Sequence, residues 1–422
     1  MTIAVIGAGY VGLVTATGLA KLGHTVRVGE ANEARLEMLR SGRVPIYEVG
    51  LPELLAEVSD RMSFHGDNKE AVDGAEFVFL ALPTPEGPDG RADLSFIHAV
   101  VDELAAVVAP DTLFVVKSTV PPGTVASLSK RLADRGSAGR VVSHPEFLRE
   151  GRAVDDFLDP DRIVVGAYDA ADAARVTALY DGLDTEVVVT DPTSAEMIKY
   201  ASNSYLAARL TFVNTLSNLC EAVGADIVDV IKGMGLDHRI GPHFLQPGPG
   251  YGGSCFPKDT IALIGVAEDA GYDFGLLRAV IAADDEQRRR IAEKVRQAAG
   301  GGLRGRRIAM WGIAFKAGTD DTRESPALRI AGLLQQEGAE VVAFDPEAKT
   351  DRVAMAPTPI DAAAGADVLL VATEWPDFAK VDLSEVRKVM KGHRVVDARN
   401  LLDPAAVRSA GFDYWGLGRP GA

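Results

Sequence analysis

The chain has 422 residues, of which 47% are hydrophobic and 25% charged, with a formal net charge of −16. At roughly 150 residues per domain this suggests two or three globular domains with ample apolar material for their cores, and the acidic balance argues against binding nucleic acid through bulk charge. No apolar run is long enough to span a bilayer, and the two cysteines, Cys220 and Cys255, give no disulfide framework, so a reducing cytoplasm is the expected compartment.

The opening MTIAVIGAGY enters a strand at once, without the charged and apolar regions of a secretory leader. The β-branched run Thr2 to Ile6 leads into Gly7-Ala8-Gly9-Tyr10-Val11-Gly12 and a helical stretch to about Leu22. Gly23-His24 then turns the chain into a second strand, Thr25 to Val28, ending at Glu30. Buried-type strands are predicted at Phe77 to Leu82, Leu113 to Lys117, Arg140 to Ser143 and Ile163 to Gly166, with helical segments between most of them. This alternation implies an α/β fold with a parallel, doubly wound sheet.

The pattern changes near Asp191-Pro192. Thr193 and Glu196 read as a capping box opening a long helix from Ser194 to about Val223, apolar at Met197, Ile198, Ala201, Leu210, Val213 and Leu216. No strand signal occurs from there to about Gln297, and Ala299-Gly300-Gly301-Gly302 reads as a linker. A second α/β region follows, with strands Arg307 to Met310, Glu340 to Phe344, Val368 to Ala372 and Arg394 to Asp397, and a helix from Pro326 to Gln336. Residues after Gly416 are expected to fray. The expected domains are 1–192, 193–298 and 299–422.

The G-x-G-x-x-G run lies between a strand and a helix, the context a dinucleotide fingerprint requires. Gly7 permits the tight turn, Gly9 lets the backbone approach a pyrophosphate, and Gly12 permits close helix–strand packing. Tyr10 and Val11 open the helix whose free amides face the phosphates. Glu30 is placed to accept hydrogen bonds from a ribose diol and to repel a 2′-phosphate, favouring NAD over NADP, while Arg35 one helical turn on works against that preference.

The segment Gly248 to Asp259 (GPGYGGSCFPKD) is the most informative for chemistry. Its glycines permit close approach to a ligand, and Pro257 suits the first turn of a helix. Cys255 then stands beside a helix N-terminus, where a thiolate is favoured, although a lone cysteine is more often buried and inert. Lys199 and Asn203 are four apart on the long helix and share a face, either a solvated one or one turned to a polar site.

GAGYVG, VPIYEVGLPELL, KSTVPPGT, HPEFLREG, EMIKYASN, Asp237-His-Arg-Ile-Gly241, GYGGSCFPKD and FKAGTDDTRESPA, taken in order over nearly the whole chain, resemble the UDP-glucose/GDP-mannose dehydrogenase family. The resemblance implies two Rossmann-like doubly wound domains joined by a helical middle domain with a long central helix. It implies NAD in the N-terminal domain, a nucleotide sugar in the C-terminal one, and a homodimer or larger homo-oligomer built through the middle.

It further implies a four-electron oxidation of a primary alcohol to a carboxylate. Cys255 would pass through a thiohemiacetal and a thioester, with Glu146 as the base for water and Thr119 positioning that water. Lys199 and Asp259 would manage the alcohol proton and the developing oxyanion, with Asn203 as a further donor. Substrate contacts would come from Glu146, Phe147, Leu148, Lys199, Asn203, Phe244, Gly252, Lys316 and Arg399, and from Arg239 reaching the neighbouring subunit's substrate. Cofactor contacts beyond the glycine run would come from Glu30, Arg35, Thr84, Ser118, Thr119, Glu150, Lys258 and Arg323. No metal is implied.

Asp237 to Gly241 is most like the branch that converts UDP-glucose to UDP-glucuronate. GDP-mannose, UDP-N-acetyl-hexosamine and TDP-glucose remain alternative substrates. A two-electron hydroxyacid dehydrogenase needs neither Cys255 nor the region from Arg307 to Leu417. A non-catalytic nucleotide-sugar sensor would have no use for Cys255, Lys199, Asp259 and Glu146 together. Three positions depart from the family's pattern: His144 where Asn is common, Glu30 where Asp is common, and Gln246 where some relatives place a basic residue.

Overall fold

The computed structural model describes residues 1–420. Two compact units emerge, one of residues 1–202 with 261–271, the other of residues 203–260 with 272–422. The first is built on eight strands: β1 (Thr2–Ile6), β2 (Thr25–Gly29), β3 (Met62–His65), β4 (Phe77–Leu80), β5 (Leu113–Val116), β6 (Arg140–Ser143), β7 (Arg162–Gly166) and β8 (Glu186–Thr190). Their order is β3-β2-β1-β4-β5-β6-β7-β8, parallel except where β6 meets β7. Runs such as Phe77–Leu80 and Leu113–Val116 are buried on both faces, as a sheet covered by helices requires. One apolar cluster includes Leu13, Leu19, Val28 and Phe79, and another, on the opposite face, includes Ile6, Leu80, Ile97 and Leu128.

The second unit carries six parallel strands: β9 (Arg307–Trp311), β10 (Glu340–Phe344), β11 (Ala354–Met355), β12 (Val368–Val371), β13 (Arg394–Asp397) and β14 (Asp413–Gly416), ordered β11-β10-β9-β12-β13-β14. Counted from its own first strand this repeats the 3-2-1-4-5-6 order of the first unit. In both, the order reverses beside the first strand, and the carboxyl ends there form the crevice where ligands bind. The repeat reaches into backbone detail. Gly7 follows β1 at φ +98° and donates to Gly29 O, and Gly312 follows β9 at φ +92° and donates to Phe344 O. A Cβ at Gly7 would meet Ala81 O at 2.5 Å, and one at Gly312 would meet Thr373 Cβ at 2.3 Å.

Four expectations need correction. The long helix runs Pro192–Val223, capped not by Thr193 but by Asp191, whose Oδ1 accepts the Ser194 amide at 2.9 Å. Glu196 instead accepts from the Gly123 and Val125 amides at 2.6 and 2.7 Å, capping the helix Thr124–Asp134. The run Ala299 to Gly302 is a helix C-cap inside the second unit rather than a linker. Gly300 and Gly301 donate to Gln297 O and Arg296 O, closing the helix Gly275–Ala298 with a Schellman turn. Residues 417–419 are held: Leu417 is buried, the Gly418 amide donates to Glu221 at 2.8 Å, and Arg419 pairs with Asp226. Of the expected frayed tail, residues 421–422 lie outside the described residues.

Candidate active site

In the first unit, Gly12 packs against the turn so closely that a Cβ would meet Gly7 O at 1.8 Å, whereas a Cβ on Gly9 would stand in open space. Gly9 is the extended N-cap of the helix Tyr10–Lys21. The amides of Tyr10, Val11 and Gly12 have no intrahelical acceptor and point to that space, which is what a pyrophosphate needs. The Tyr10 hydroxyl is committed elsewhere: it donates to Glu48 and accepts the Gly151 amide at 3.1 Å. Its available group for a phosphate is therefore its backbone amide. Glu30 is fixed in the strand-end turn, its Oε2 accepting the Ala8 amide at 3.2 Å and its Oε1 the Asn32 amide at 2.7 Å. Arg35 sits in the first turn of the exposed helix Glu33–Arg40.

The loops after β4 and β5 are tied together. Thr84 Oγ1 donates to Thr119 O at 2.9 Å, and Ser118 Oγ donates to Leu82 O at 2.7 Å. After β6 comes Glu146. Its Oε1 accepts Lys199 Nζ at 2.8 Å, its Oε2 accepts the Leu148 amide at 2.5 Å, and both Glu146 and Lys199 side chains are only 5% exposed. Burial pushes the Glu146 carboxyl up, but the Lys199 charge and hydrogen bond, the Leu148 amide and the Lys117 charge together hold it below its ordinary value. The Phe147 ring has two cations near it, Arg162 at 3.6 Å from its centroid and Lys199 at 5.5 Å. Glu150 lies half-buried in the loop before the helix Ala153–Leu158.

Neighbouring residues assigned no role from sequence complete this cluster. His144 Nδ1 donates to Val164 O at 2.7 Å, so its Nε2 is an acceptor, and it lies 2.6 Å from the Tyr180 hydroxyl and 3.3 Å from Lys117 Nζ. Burial, followed by Lys117, keeps the imidazole neutral well below its ordinary range. Burial lowers Lys117 to about 7. Glu48 is the other omission: it accepts the Gly151 and Ala153 amides at 2.7 Å. It stands within VPIYEVG, but the two amides it binds lie over 100 positions away.

In the second unit, Cys255 immediately precedes the helix Phe256–Asp269 and its carbonyl accepts the Asp259 amide at 2.9 Å. It is therefore the N-cap, half-buried, its Sγ 3.6 Å from Ser254 Oγ. The helix dipole favours negative charge at that position. Asp259, fully buried, accepts Asn203 Nδ2 and Lys258 Nζ, both at 2.6 Å. Glu146 is thus a carboxylate partner of Lys199, and Lys258 is a partner of Asp259. Asn203 follows Lys199 by one turn of the same helix.

The loop before Cys255 packs against the turn after β9. A Cβ on Gly252 would meet Glu324 O at 2.5 Å, one on Gly253 would meet the Phe315 ring at 2.9 Å, and the Gly253 amide donates to Arg323 O. Lys316 and Arg399 stand at the carboxyl ends of β9 and β13. Arg399 donates to Phe315 O at 2.9 Å and pairs with Glu374 at 2.9 Å, which offsets part of its charge. Arg323 pairs with Asp321, and Arg239, with its side chain 77% exposed, pairs with Asp237. Phe244 adopts the left-handed region at φ +56°.

A glycine fingerprint at the switch point of one doubly wound sheet, and a second sheet of the same order with Lys316 and Arg399 at its carboxyl edge, define a dinucleotide-binding protein with a separate ligand domain. The chain matches three parts of one family: the NAD binding domain over residues 1–184, the central domain over 193–286 and the UDP binding domain over 309–404. It belongs to the UDP-glucose/GDP-mannose dehydrogenase family. A UDP-glucose 6-dehydrogenase of Rhizobium meliloti is 43% identical, with 100% of both chains covered. One of Pseudomonas aeruginosa is 42% identical, covering 100% of this chain and 98% of that one. The structure of a UDP-glucose dehydrogenase from Pyrobaculum islandicum superposes with a TM-score of 0.92 at 38% identity, covering 99% of this chain and 98% of that one.

Proposed function

We propose that this chain oxidises UDP-glucose to UDP-glucuronate as an NAD-dependent nucleotide-sugar 6-dehydrogenase. The observation that carries the reading is Cys255 as the cap of a helix, in a chain that matches the family in all three of its parts. NAD, when bound on Gly7 to Gly12 and Glu30, supplies the hydride acceptor for both oxidations. Lys199 and Asn203 hold the oxygen of the reacting carbon, and Asp259, bonded to Asn203 and Lys258, takes up the alcohol proton. Cys255 Sγ adds to the aldehyde to give a thiohemiacetal and, after the second oxidation, a thioester. Glu146 then deprotonates the water that releases the acid. Thr119 orients that water, and Phe147, Leu148, Phe244, Gly252, Lys316 and Arg399 hold the nucleotide sugar. Arg35, Thr84, Ser118, Glu150, Lys258 and Arg323 complete the cofactor site. The segments 1–192, 193–298 and 299–422 divide these duties as domains. The test is a panel of UDP-glucose, GDP-mannose, UDP-N-acetyl-hexosamines and TDP-glucose. Two NADH per UDP-glucose, with kcat/KM highest for that sugar, is expected, and one NADH per sugar would overturn the four-electron reading.

Glu30 selects the cofactor. A carboxylate fixed by two backbone amides cannot swing away from a 2′-phosphate, and like charges about 4 Å apart repel by about 1–4 kcal/mol. A kcat/KM ratio of NAD over NADP of about fivefold to several hundredfold is expected, and a preference for NADP would refute the assignment.

We further propose a cytoplasmic homodimer. No helix among the described residues is long and apolar enough to cross a membrane. Tyr205, Phe212 and Leu219, seven apart on the long helix, are 65%, 59% and 56% exposed, an apolar stripe of the kind a second copy covers. Arg239, exposed in the same unit, is then the residue that reaches the partner's substrate. Phe212→Glu should sediment as a monomer where the parent is a dimer; a dimer that survives the change would place the interface elsewhere.

A further inference from the structure

The loop that delivers Cys255 is gripped by side chains that touch no reacting atom. Helix Gly275–Ala298 turns Asp284, Gln287 and Arg288, three and four residues apart and all buried, toward residues 248–251. Asp284 Oδ1 accepts the Tyr251 amide at 2.9 Å, and Arg288 Nη2 donates to the Tyr251 carbonyl at 2.9 Å while pairing with Asp284. Gln287 Nε2 donates to the Gly248 carbonyl at 3.0 Å, and Asn214 Oδ1 accepts the Gly248 amide at 2.8 Å. Asn218 donates to Gln287 Oε1 at 2.8 Å, which fixes the orientation of the Gln287 amide. Both backbone groups of two loop residues are thus bonded by buried side chains. Between them Gly250, at φ +118°, passes so close that a Cβ would meet Asp284 Oδ1 at 2.8 Å. The Tyr251 ring then stands edge-on to Phe256, the residue after Cys255, with centroids 6.3 Å apart.

We propose that Asp284, Gln287 and Arg288 are positioning residues for the oxidation, fixing the Gly248–Tyr251 backbone and through it the Cys255 thiol. This rests on the reading of Cys255 as the nucleophile. The physical argument is one of cost: a buried polar row, bonded here except at Arg288 Nε, stabilises no more than an apolar one of equal volume, yet it specifies one backbone position. Thiol addition needs such a position, because a misplacement of about 1 Å costs about 100-fold in rate. The groups facing Asp284 are Arg288, the Tyr251 amide, Asp285 and Arg329; burial raises its carboxyl to about 6 against the pull of Arg288.

The experiment compares Asp284→Ala, Asp284→Asn and Gln287→Glu in the full chain. Iodoacetamide modification of Cys255, followed by mass spectrometry, is measured with the enzyme alone. UDP affinity, kcat and KM are measured beside it. Asp284→Asn keeps an acceptor for the Tyr251 amide. Asp284→Ala leaves that amide without a partner and takes from Arg288 its buried carboxylate, leaving it Asp285 and the Tyr251 carbonyl, and Gln287→Glu sets a carboxylate against the Gly248 carbonyl. Expected are at least a tenfold change in the Cys255 alkylation rate and a similar fall in kcat for Asp284→Ala and Gln287→Glu, with UDP affinity within twofold. Asp284→Asn should recover both to within threefold of the parent. Unchanged alkylation and kcat in the Ala and Glu variants would overturn the proposal. So would an equal loss in Asp284→Asn, or a loss that follows melting temperature and UDP affinity instead of alkylation. The alkylation readout needs no covalent catalysis, so failure of the nucleophile reading would show in Cys255→Ser and not here.

Discussion

Replacing Cys255 by serine should arrest the reaction after about one NADH per active site, with steady turnover to the acid reduced on the order of 10³-fold or more. The first oxidation requires a base and a hydride acceptor but no thiol, so it should survive. The second requires a tetrahedral adduct at the aldehyde carbon. A serine hydroxyl lacks the accessible anion that makes a cysteine a nucleophile at neutral pH. The substitution is a clean probe because Cys255 is the N-cap of Phe256–Asp269, a position serine fills at least as well. Loss of turnover will therefore report chemistry rather than an unravelled helix, and the melting temperature should stay near that of the parent. The thiols should also separate by reactivity. Cys255 is half-buried at a helix N-terminus, whereas Cys220 is 3% exposed, its thiol pushed up by burial and, less strongly, by Asp226. Alkylation should occur first at Cys255 and be slowed by bound UDP-glucose. A serine variant that turned over repeatedly at near the parent rate would eliminate covalent catalysis by Cys255.

The central strands were legible because β4, β5 and β12 are apolar on both faces, a signal that survives any tertiary arrangement. The edges were not. β3 is half-exposed, β8 is exposed along most of its length and β11 has two residues, so none presents a buried run. Local rules also misassigned Glu196, because its spacing from Thr193 fits a capping box while its carboxylate is taken by amides more than 70 positions away. The same division runs through the site. Lys199 and Asn203 were found as a helix face, but Glu146 and Asp259 lie 53 and 56 positions from them, a pairing that only the fold makes. Asp284, Gln287 and Arg288 sit in a charged run that reads as solvated surface. The available signal was that they share a face with Val280, Ile291 and Val295, all buried.

The Lys199–Glu146 pair leads to an expected result in both stability and rate. Lys199→Met removes the ammonium 2.8 Å from a carboxylate that stays buried. Breaking one side of such a pair costs about 3–5 kcal/mol, because the remaining charge has lost its main compensation. The pH dependence fixes the cause. In the parent, Glu146 is held below its ordinary value, so its contribution to stability is present above the unfolded carboxyl pKa and is lost as pH falls through the folded one. In the variant, burial is opposed only by the Leu148 amide and Lys117, and the carboxyl should rise above its ordinary value. Its contribution then reverses: it is present below the unfolded pKa and lost as pH rises through the folded one. The melting-temperature gap between parent and variant should therefore be wide at pH 8 and narrow as pH falls through 5 toward 4. A protonated Glu146 cannot take a proton from water, so kcat at neutral pH should fall by about 10²–10⁴-fold, with KM for UDP-glucose little changed. A gap that is the same at every pH would show that the ion pair is not what Lys199 contributes, and a change confined to KM would reduce Lys199 to a substrate contact.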